Sequence, residues 1–285
     1  MLIAQVTDCH IGFDLSDPEE DNVQRLRAVI GELCNGPNRP DLLLMTGDLT
    51  NGGDLASYAR LAELLARCPF PVRLIPGNWD NRTALCATFA QTECADGFIQ
   101  FEVPLPGLRL IALDTTEPGR HGGAFCEARA KWLSDRLDAE PETPVIIAMH
   151  HPPVETGLEW LDCGANEAWV QRFARAITGR NQVRAILAGH LHRTIHTSFS
   201  GIPLIVCPAS APHVTLDLSS IESDQPDGRP LVAAEPAGYA LHRWAGEGLT
   251  SHFGAAALGA PWPVLARFDE SMAKTVSQNA RERLG

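Results

Sequence analysis

The sequence lacks the features of membrane, fibrous and exported proteins. It has no apolar run approaching the roughly 18 residues that a membrane-spanning helix needs. Its first residues carry no basic stretch followed by an apolar core, as a signal peptide would. It also has no internal repeat and no low-complexity linker. We therefore expect a cytoplasmic protein that has no membrane partner.

Positive charge is also scarce. Lys and Arg together number 23 against 35 Asp and Glu, which gives a net charge of −12 and a pI of about 5.2. This balance argues against a nucleic-acid polymer or an anionic membrane as the main partner, because both attract basic proteins. A small anionic substrate stays compatible with it, because bound metal cations reverse the local field.

Cysteine pairs of the CxxC type are absent. The chain has eight cysteines, and none stands three residues from another: Cys9, Cys34, Cys68, Cys86, Cys94, Cys126, Cys163 and Cys207. Without that spacing and without a secretion signal, we expect reduced, mostly buried thiols.

What the chain does have is a globular composition and an alternating pattern. Its 285 residues are 45% hydrophobic and 20% charged, with a mean hydropathy of −0.07, which is typical of one large domain with a substantial core. Apolar runs at 2–7, 42–46, 72–75, 145–149 and 183–188 predict strands, and amphipathic stretches at 22–34, 55–67, 127–139 and 165–178 predict helices. This rhythm is typical of a parallel sheet covered by helices.

Further apolar runs flank turn signals and predict antiparallel hairpins. The three predicted turns lie at 104–107, 200–201 and 246–248, and the polar stretch 219–236 predicts a loop. Parallel units combined with hairpins indicate an α/β fold of two stacked mixed β-sheets flanked by helices.

Potential metal ligands follow directly after five of the predicted strands. They are Asp8, His10, Asp48, Asn78, His150, His190 and His192. Ligands bind beyond the carboxyl ends of strands in open α/β sheets, and residues two apart in an extended segment point the same way. The donors are carboxylate, amide and imidazole groups without thiolate, a set that suits Fe, Mn, Co or Zn. The sequence thus predicts a metal centre built from all seven residues.

The ordered motifs DxH, GD, GNxD, H and GHxH resemble those of the calcineurin-like metallophosphoesterases. Within that superfamily the chain is most similar to bacterial class III cyclic nucleotide phosphodiesterases and to glycerophosphodiesterases, a branch that residues 150–153, 208–210 and 259–262 also resemble. The resemblance covers residues 1–269 and implies the four-layer sandwich of that superfamily. It further implies a hairpin or cap region at about 219–263. The polar composition of residues 270–285 predicts a peripheral helix or a frayed tail.

The resemblance implies a catalytic centre with two divalent or trivalent transition metal ions bridged by Asp48. The first ion would be completed by Asp8, His10 and His192, and the second by Asn78, His150 and His190. It implies hydrolysis of a small phosphodiester, either a 3',5'-cyclic nucleotide or a glycerophosphodiester, by attack of a metal-bound hydroxide. Which diester and which metal the protein uses stay open. A non-catalytic metal-binding scaffold on the same fold is the alternative, and a homo-oligomer, dimer or larger, is expected from the resemblance.

One position departs from the family pattern. Trp79 stands where the family usually has a histidine near the phosphate, and an indole is only a hydrogen-bond donor. His213 is the candidate replacement, as a catalytic residue beside Asp48 and Asn78, and the alternative for it is a structural loop histidine. The expected substrate contacts are Asn78, Trp79, His213 and His121. His151 follows His150 and should face away from the ions, so a supporting or packing role is expected for it.

Overall fold

A computed structural model of the chain describes residues 1–92, 94–220, 227–246, 248–260 and 263. The described helices are α1 (Asp21–Asn35), α2 (Leu55–Leu65), α3 (Arg82–Thr88), α4 (Glu127–Ala139) and α5 (Ala168–Ile177). The described strands are β1 (Leu2–Val6), β2 (Leu42–Thr46), β3 (Val72–Ile75), β4 (Phe101–Leu105), β5 (Leu108–Ala112), β6 (Val145–Ala148), β7 (Val183–Ala188), β8 (Ile195–Phe199), β9 (Ile202–Val206), β10 (His213–Val214), β11 (Val232–Ala233), β12 (Ala237–Ala245) and β13 (Gly248–Ala256).

Two large mixed sheets form the centre of the fold. The first has the strand order β13-β12-β1-β2-β3, in which β1, β2 and β3 run parallel and β12 is antiparallel to β1. The second has the order β4-β5-β6-β7-β9-β8, with β5, β6, β7 and β9 parallel and an antiparallel strand at each edge. Both sheets therefore present several strand carboxyl ends at one edge, as the predicted metal site requires.

Alternating side chains on the strands divide the core into three apolar layers. In β2, Leu43 and Met45 pack with buried residues of the helices beside the first sheet, whereas Leu42 and Leu44 pack between the two sheets. A third cluster joins the second sheet to α4 and α5. Because side chains alternate along a strand, one apolar run serves two layers. The predicted four-layer sandwich of two sheets flanked by helices is confirmed.

The hairpin predicted around residues 104–107 is present, but the predicted turn is wrong. The strands pair as far as Leu105 and Leu108, so the turn consists of Pro106 and Gly107 alone, and Pro104 lies inside β4. A proline lacks the N–H that a central strand needs, yet β4 is an edge strand, where that loss is tolerated. Proline therefore misleads a prediction that treats it only as a turn signal.

Several element boundaries also differ from the prediction. Helix α3 lies where no helix was predicted, and its N-cap Asn81 accepts a hydrogen bond from Ala84 N at 3.1 Å. Helix α5 begins at Ala168 rather than at 165. The short strand β11 lies inside the predicted loop 219–236 and pairs with β10.

The carboxyl-terminal hairpin is part of the first sheet. Strands β12 and β13 pair along nine positions, and β12 in turn pairs with β1. Part of the region 219–263 is thus integral to the domain, while its use as a cap or as a contact between copies stays a prediction. The motif position Trp262 and the tail 270–285 lie outside the described residues.

All eight cysteines are free thiols, but fewer are buried than expected. Cys9, Cys163 and Cys207 are buried, four others are half-buried, and Cys94 is exposed.

Within the described part of the chain, no helix is long and apolar enough to cross a bilayer.

Candidate metal centre

The structure brings the seven predicted ligands together where the two sheets meet. Each follows the carboxyl end of a parallel strand: β1, β2 or β3 in the first sheet, and β6 or β7 in the second. Backbone hydrogen bonds join these turns, since Asp8 N donates to Gly47 O at 2.9 Å and Gly189 N donates to His150 O at 3.0 Å. His190 N donates to Asp8 Oδ2 at 3.0 Å and so links the two sheets. Strand ends from both sheets therefore build one site.

Most of these residues have an unusual backbone conformation. In the described part of the chain, seven non-glycine residues have a positive φ in the left-handed region. Five of them are predicted ligands, with φ of 46–71°: Asp8, His10, Asp48, His190 and His192. Such a conformation is unfavourable for residues with a Cβ and persists where the surroundings enforce it, which is common at functional sites.

Asp8, His10 and His192 form one group of donors. Their ligand atoms all lie within 4.8 Å of one another. His192 Nε2 is 3.4 Å from Asp8 Oδ1 and 3.2 Å from His10 Nε2. Asp8 is fully buried, and its Oδ1 has no hydrogen-bond partner among the described residues. A buried carboxylate oxygen without a donor is costly unless a cation binds it.

Asp48, Asn78, His150 and His190 form the second group. His150 Nε2 lies 3.4 Å from Asp48 Oδ2 and 3.1 Å from Asn78 Oδ1, and the ring centroids of His150 and His190 are 5.2 Å apart. Asp48 Oδ2 also lies 3.7 Å from His10 Nε2 in the first group. Asp8 Oδ1 in turn lies 4.0 Å from His150 Nε2, so each carboxylate lies near an imidazole of the other group.

Backbone carbonyls orient three of the imidazoles toward the centre. His150 Nδ1 donates to Thr46 O at 2.7 Å, and His192 Nδ1 donates to Pro212 O at 2.8 Å. His190 Nε2 lies 3.3 Å from Leu161 O. A proton placed on the outward nitrogen leaves the inward nitrogen with a lone pair, which is the arrangement of metal-bound histidine.

The buried charges of the site also favour the binding of cations. Burial would raise the pKa of the Asp48 carboxyl, but the nearby His150 and His10 hold it below its ordinary value. Burial would lower the pKa of His150, but Asp48 raises it to about 9. Burial and the neighbouring His150 lower the pKa of His190 to about 4. The buried carboxylates thus require positive charge nearby, and the N and O donor set can take it from transition metal ions.

Asp80 anchors the loop that carries Asn78, a role that was missed in the sequence. Its carboxylate accepts hydrogen bonds from Leu49 N at 3.0 Å, Gly77 N at 2.9 Å and Tyr58 Oη at 2.8 Å. Burial and the nearby carboxylate of Asp48 raise the pKa of Asp80 to about 6. The aspartate of the GNxD motif was the available signal for this role.

Close packing around Asp48 leaves no space for larger residues in the adjoining turns. A Cβ on Gly77 would lie 2.2 Å from both the backbone N and Oδ1 of Asp48. A Cβ on Gly47 would lie 2.4 Å from His150 Nδ1. The glycines of the GD and GN motifs are therefore required by contact with the ligands themselves.

Trp79 and His121 lie together at the edge of the cluster. The Trp79 indole is 41% exposed and packs edge-on against His10 and His121, with ring centroids 5.9 and 5.8 Å apart. His121 Nδ1 lies 3.3 Å from Asn78 Nδ2. The loop that carries His121 thus reaches the candidate ligands.

His213 is buried beside the centre, and a backbone carbonyl accepts a hydrogen bond from its Nε2. Its Nε2 lies 2.9 Å from Ala209 O, and its Nδ1 lies 3.5 Å from Glu235 Oε2. Burial lowers the pKa of His213. Neither contact is with one of the seven clustered residues.

His151 lies close to the ligands but is satisfied by other groups. Its Nδ1 and the Thr115 hydroxyl are 2.8 Å apart, and its Nε2 lies 3.1 Å from His121 O. Its nitrogens are near enough to those of His150 and His190 to bind an ion with them. With Nε2 donating to a carbonyl and Nδ1 accepting from a hydroxyl, however, no lone pair is left for a metal.

Comparison with known proteins places this arrangement in a family. The sequence profile described as calcineurin-like phosphoesterase matches residues 1–194. The chain belongs to that family. The resemblance inferred from the strand-end motifs is therefore confirmed, and calcineurin-like phosphoesterases use divalent metal ions.

Curated relatives among the calcineurin-like phosphoesterases carry the names of phosphodiesterases. A probable glycerophosphodiester phosphodiesterase of Arcobacter nitrofigilis is 30% identical over 257 residues, which cover 88% of this chain and 92% of that protein. A cAMP/cGMP dual specificity phosphodiesterase of Mycobacterium tuberculosis is 34% identical over 205 residues, which cover 68% of this chain and 61% of that protein. These names match the branch predicted from the sequence.

A solved structure that is similar to this chain has the same fold. A dimetal phosphatase from Danio rerio superposes with a TM-score of 0.61 at 16% identity and covers 90% of this chain and 99% of its own. At that identity the likeness supports the fold alone.

Proposed function

We propose that this protein is a dinuclear metal-dependent phosphodiesterase that hydrolyses a small phosphodiester. The observation that carries the proposal is the convergence of seven N and O donors from five strand ends, with Asp48 Oδ2 3.7 Å from His10 and 3.4 Å from His150. Curated relatives named as phosphodiesterases of small diesters support the reaction class. The metals are transition ions drawn from Fe, Mn, Co and Zn, which the donor set suits.

Seven residues would hold the two ions. Asp8, His10 and His192 would hold one ion, Asn78, His150 and His190 would hold the other, and Asp48 would serve both. Two ions in such a clamp supply a water that is acidic enough to act as nucleophile near pH 7 and offset the charge that builds on the phosphoryl oxygens. The protein's own contribution is to fix the donors: the carbonyls of Thr46 and Pro212 set the imidazole tautomers.

Asn78 and His121 face a bound phosphodiester from the open side of the cluster. With Asn78 Oδ1 turned to His150, its Nδ2 is the donor toward His121 Nδ1. With Nδ1 accepting from Asn78, the ring proton of His121 lies on Nε2, where it can donate to a phosphoryl or leaving-group oxygen. We assign to His121 the hydrogen bond that the family histidine makes, because Nε2 of His213 donates to Ala209 O and its Nδ1 faces Glu235.

Trp79 supplies an apolar wall beside this donor. Its exposed indole, held edge-on between His10 and His121, offers a face to the organic part of the substrate. A nucleobase or an alkyl substituent both suit such a face. Parallel kinetics on cAMP and on glycerophosphoethanolamine distinguish the two substrate classes.

Hydrolysis of bis(p-nitrophenyl) phosphate with added Mn²⁺ or Co²⁺ tests the proposed reaction. The wild-type chain and the surface variant Asp135→Ala should both turn the diester over. Asp48→Ala should lose at least about a hundredfold in activity at saturating metal, because removal of a bridging carboxylate disturbs both ions. Less than a tenfold loss would overturn the proposal.

The same assay distinguishes the proposed enzyme from the non-catalytic alternative. A scaffold would bind two ions tightly and turn over neither the synthetic diester nor any natural one.

Cytoplasmic location and a homo-oligomeric state stay predictions. A monomer at micromolar concentration in light scattering would refute the second of these.

A further inference from the structure

A buried chain of polar side chains lies beneath the candidate metal centre. It runs from Ser251 in β13 through His242 in β12 to Gln5 in β1, and from there to Thr46 in β2 and Ala188 in β7. Gln5, Thr46 and His242 are all completely buried. Buried polar groups of this kind are stable only when they are hydrogen-bonded, so their geometry is tightly constrained.

The Gln5 amide forms the junction of this chain. Its Nε2 donates to Thr46 Oγ1 at 2.8 Å and to Ala188 O at 3.0 Å, and so joins the first sheet to the second. Its Oε1 lies 2.9 Å from His242 Nε2, and His242 Nδ1 lies 2.7 Å from Ser251 Oγ. Every hydrogen-bonding position of the amide except one acceptor lone pair is used.

The two residues held by Gln5 are the last residues of β2 and β7. Asp48 follows Thr46 by two positions, and His190 follows Ala188 by two positions. Thr46 O is also the carbonyl that orients His150. One side chain therefore fixes the strand ends from which ligands of the second metal position project.

We propose that Gln5 is a positioning residue that sets the spacing of the two sheets at the metal centre and thereby the affinity for metal. The inference rests on the proposed function, because it assumes that the seven-residue cluster binds metal. Loss of hydrogen-bond partners that orient ligands typically costs 10- to 100-fold in metal affinity or activity.

The test compares Gln5→Met with Gln100→Met as the matched control. Gln100 is also buried, at 1% exposure, but neither end of its amide has a hydrogen-bond partner in the described part of the chain. Mn²⁺ affinity is measured by equilibrium dialysis, and kcat and KM are measured at saturating Mn²⁺. Gln5→Met should bind Mn²⁺ at least tenfold more weakly than Gln100→Met. If Gln5 contributed to stability alone, Gln5→Met would lower Tm and the two variants would bind Mn²⁺ with the same affinity.

A second variant keeps the test decisive if Gln5→Met does not fold. Thr46→Val removes only the hydroxyl that accepts from Gln5 and should weaken Mn²⁺ binding in the same direction. If the wild-type enzyme binds Mn²⁺ and the folded variants bind it within twofold of the Gln100→Met control, the inference about Gln5 is overturned. A wild-type chain that binds no Mn²⁺ would overturn the proposed function itself.

A separate feature lies at the end of α3, away from this chain of polar groups. Cys86, in α3, and Cys94, in the loop that follows, have their Sγ atoms 3.1 Å apart. Cys94 is exposed and Cys86 half-buried. Its greater exposure makes Cys94 the more accessible thiol for a first reaction, while burial and the neighbouring Cys94 raise the pKa of Cys86 to about 11.

We infer that Cys86 and Cys94 form a site of reversible disulfide formation. The Cys94 thiolate attacks a low-molecular-weight disulfide and releases one thiol, and the Cys86 thiolate then displaces the second thiol from the mixed disulfide. Two protein thiols are thus oxidised to one disulfide, and the reagent disulfide is reduced to two thiols that take up the two protons.

Titration of the full chain with oxidised glutathione tests this site. Both cysteines lie in the tryptic peptide 83–109, which should lose about 2 Da and resist alkylation until dithiothreitol is added. Cys94→Ser should abolish the loss of mass, and Cys126→Ser, which alters another half-buried cysteine, should retain it. Two alkylatable thiols in that peptide at excess oxidised glutathione would overturn the assignment.

Discussion

At the scale of single residues, the site depends on hydrogen bonds that face away from it. The donor types and their order were predictable, because each ligand follows an apolar run. The hydrogen-bond partners that orient these ligands were not predictable, because no sequence pattern indicates that the carbonyls of Thr46, Pro212 and Leu161 lie beside them. The surroundings of His213 were equally invisible, because they depend on where Ala209 and Glu235 fold.

His121 is expected to contribute to substrate binding and turnover. His121→Ala removes the donor beside Asn78 and should lower kcat/KM for the diester about 10- to 100-fold, the usual effect of losing a hydrogen bond made to a charged group. Mn²⁺ affinity should stay within about twofold of the wild-type value. The exposed His252→Ala variant serves as the control in both measurements. Unchanged kcat/KM in His121→Ala would refute the role.

Buried His242 should make stability depend on pH. Burial, with His196 as a second cause, lowers the pKa of His242 to about 3 from an ordinary 6.5. The unfolded chain therefore binds the extra proton between those values. The stability contribution is complete above pH 6.5 and is lost as pH falls toward 3. By pH 5.0 the loss is about 2 kcal/mol.

Urea unfolding at pH 7.5 and pH 5.0, in the presence of EDTA, checks this expectation. The wild-type chain should lose about 2 kcal/mol more than His242→Phe between the two pH values, because the other histidines titrate alike in both proteins. Equal losses in the two proteins would show that His242 does not take up a proton on unfolding.

At the scale of elements, turns rather than strands decide the geometry. The buried strands were predicted closely, because continuous apolar runs bounded by turn residues have few alternatives. Helix α3 was missed because it is only seven residues long, and the Pro104 turn was misplaced because an edge strand tolerates proline. Local patterns cannot reveal which strand lies at an edge.

Substitution of glycine by alanine should have different effects in the turn at the metal centre and in a helix. Gly77→Ala places a Cβ 2.2 Å from Asp48 and should lower diester hydrolysis and Mn²⁺ affinity at least about tenfold, because the bridging ligand must move. For Gly31→Ala in α1, no atom of the described chain outside its neighbours and the local helix backbone lies within 4 Å of the new Cβ. It should leave activity unchanged and raise the free energy of unfolding by about 0.5–1 kcal/mol.

Activity assays and urea unfolding on both glycine variants measure these effects. Wild-type activity in Gly77→Ala would show that the turn is free to adjust around Asp48. A destabilised Gly31→Ala protein would show that helix propensity does not govern that position.

At the scale of the whole molecule, stacking of two sheets creates the site. The first sheet supplies Asp8, His10, Asp48 and Asn78, and the second supplies His150, His190 and His192. The apolar layer between the sheets, with Leu44, Ile146 and Leu187 in it, sets their separation. Neither sheet alone holds a complete set of donors, so metal binding reports directly on the assembled fold.

The stoichiometry of metal activation tests the central claim most directly. Metal-stripped chain is titrated with Mn²⁺ while bound metal and hydrolysis of bis(p-nitrophenyl) phosphate are measured on the same samples. Activity should rise to a plateau at two ions per chain for the wild-type protein, and Asp48→Ala should bind neither ion tightly. Full activity without metal, or a plateau in activity with Asp48→Ala equal to that of the wild type, would contradict the account.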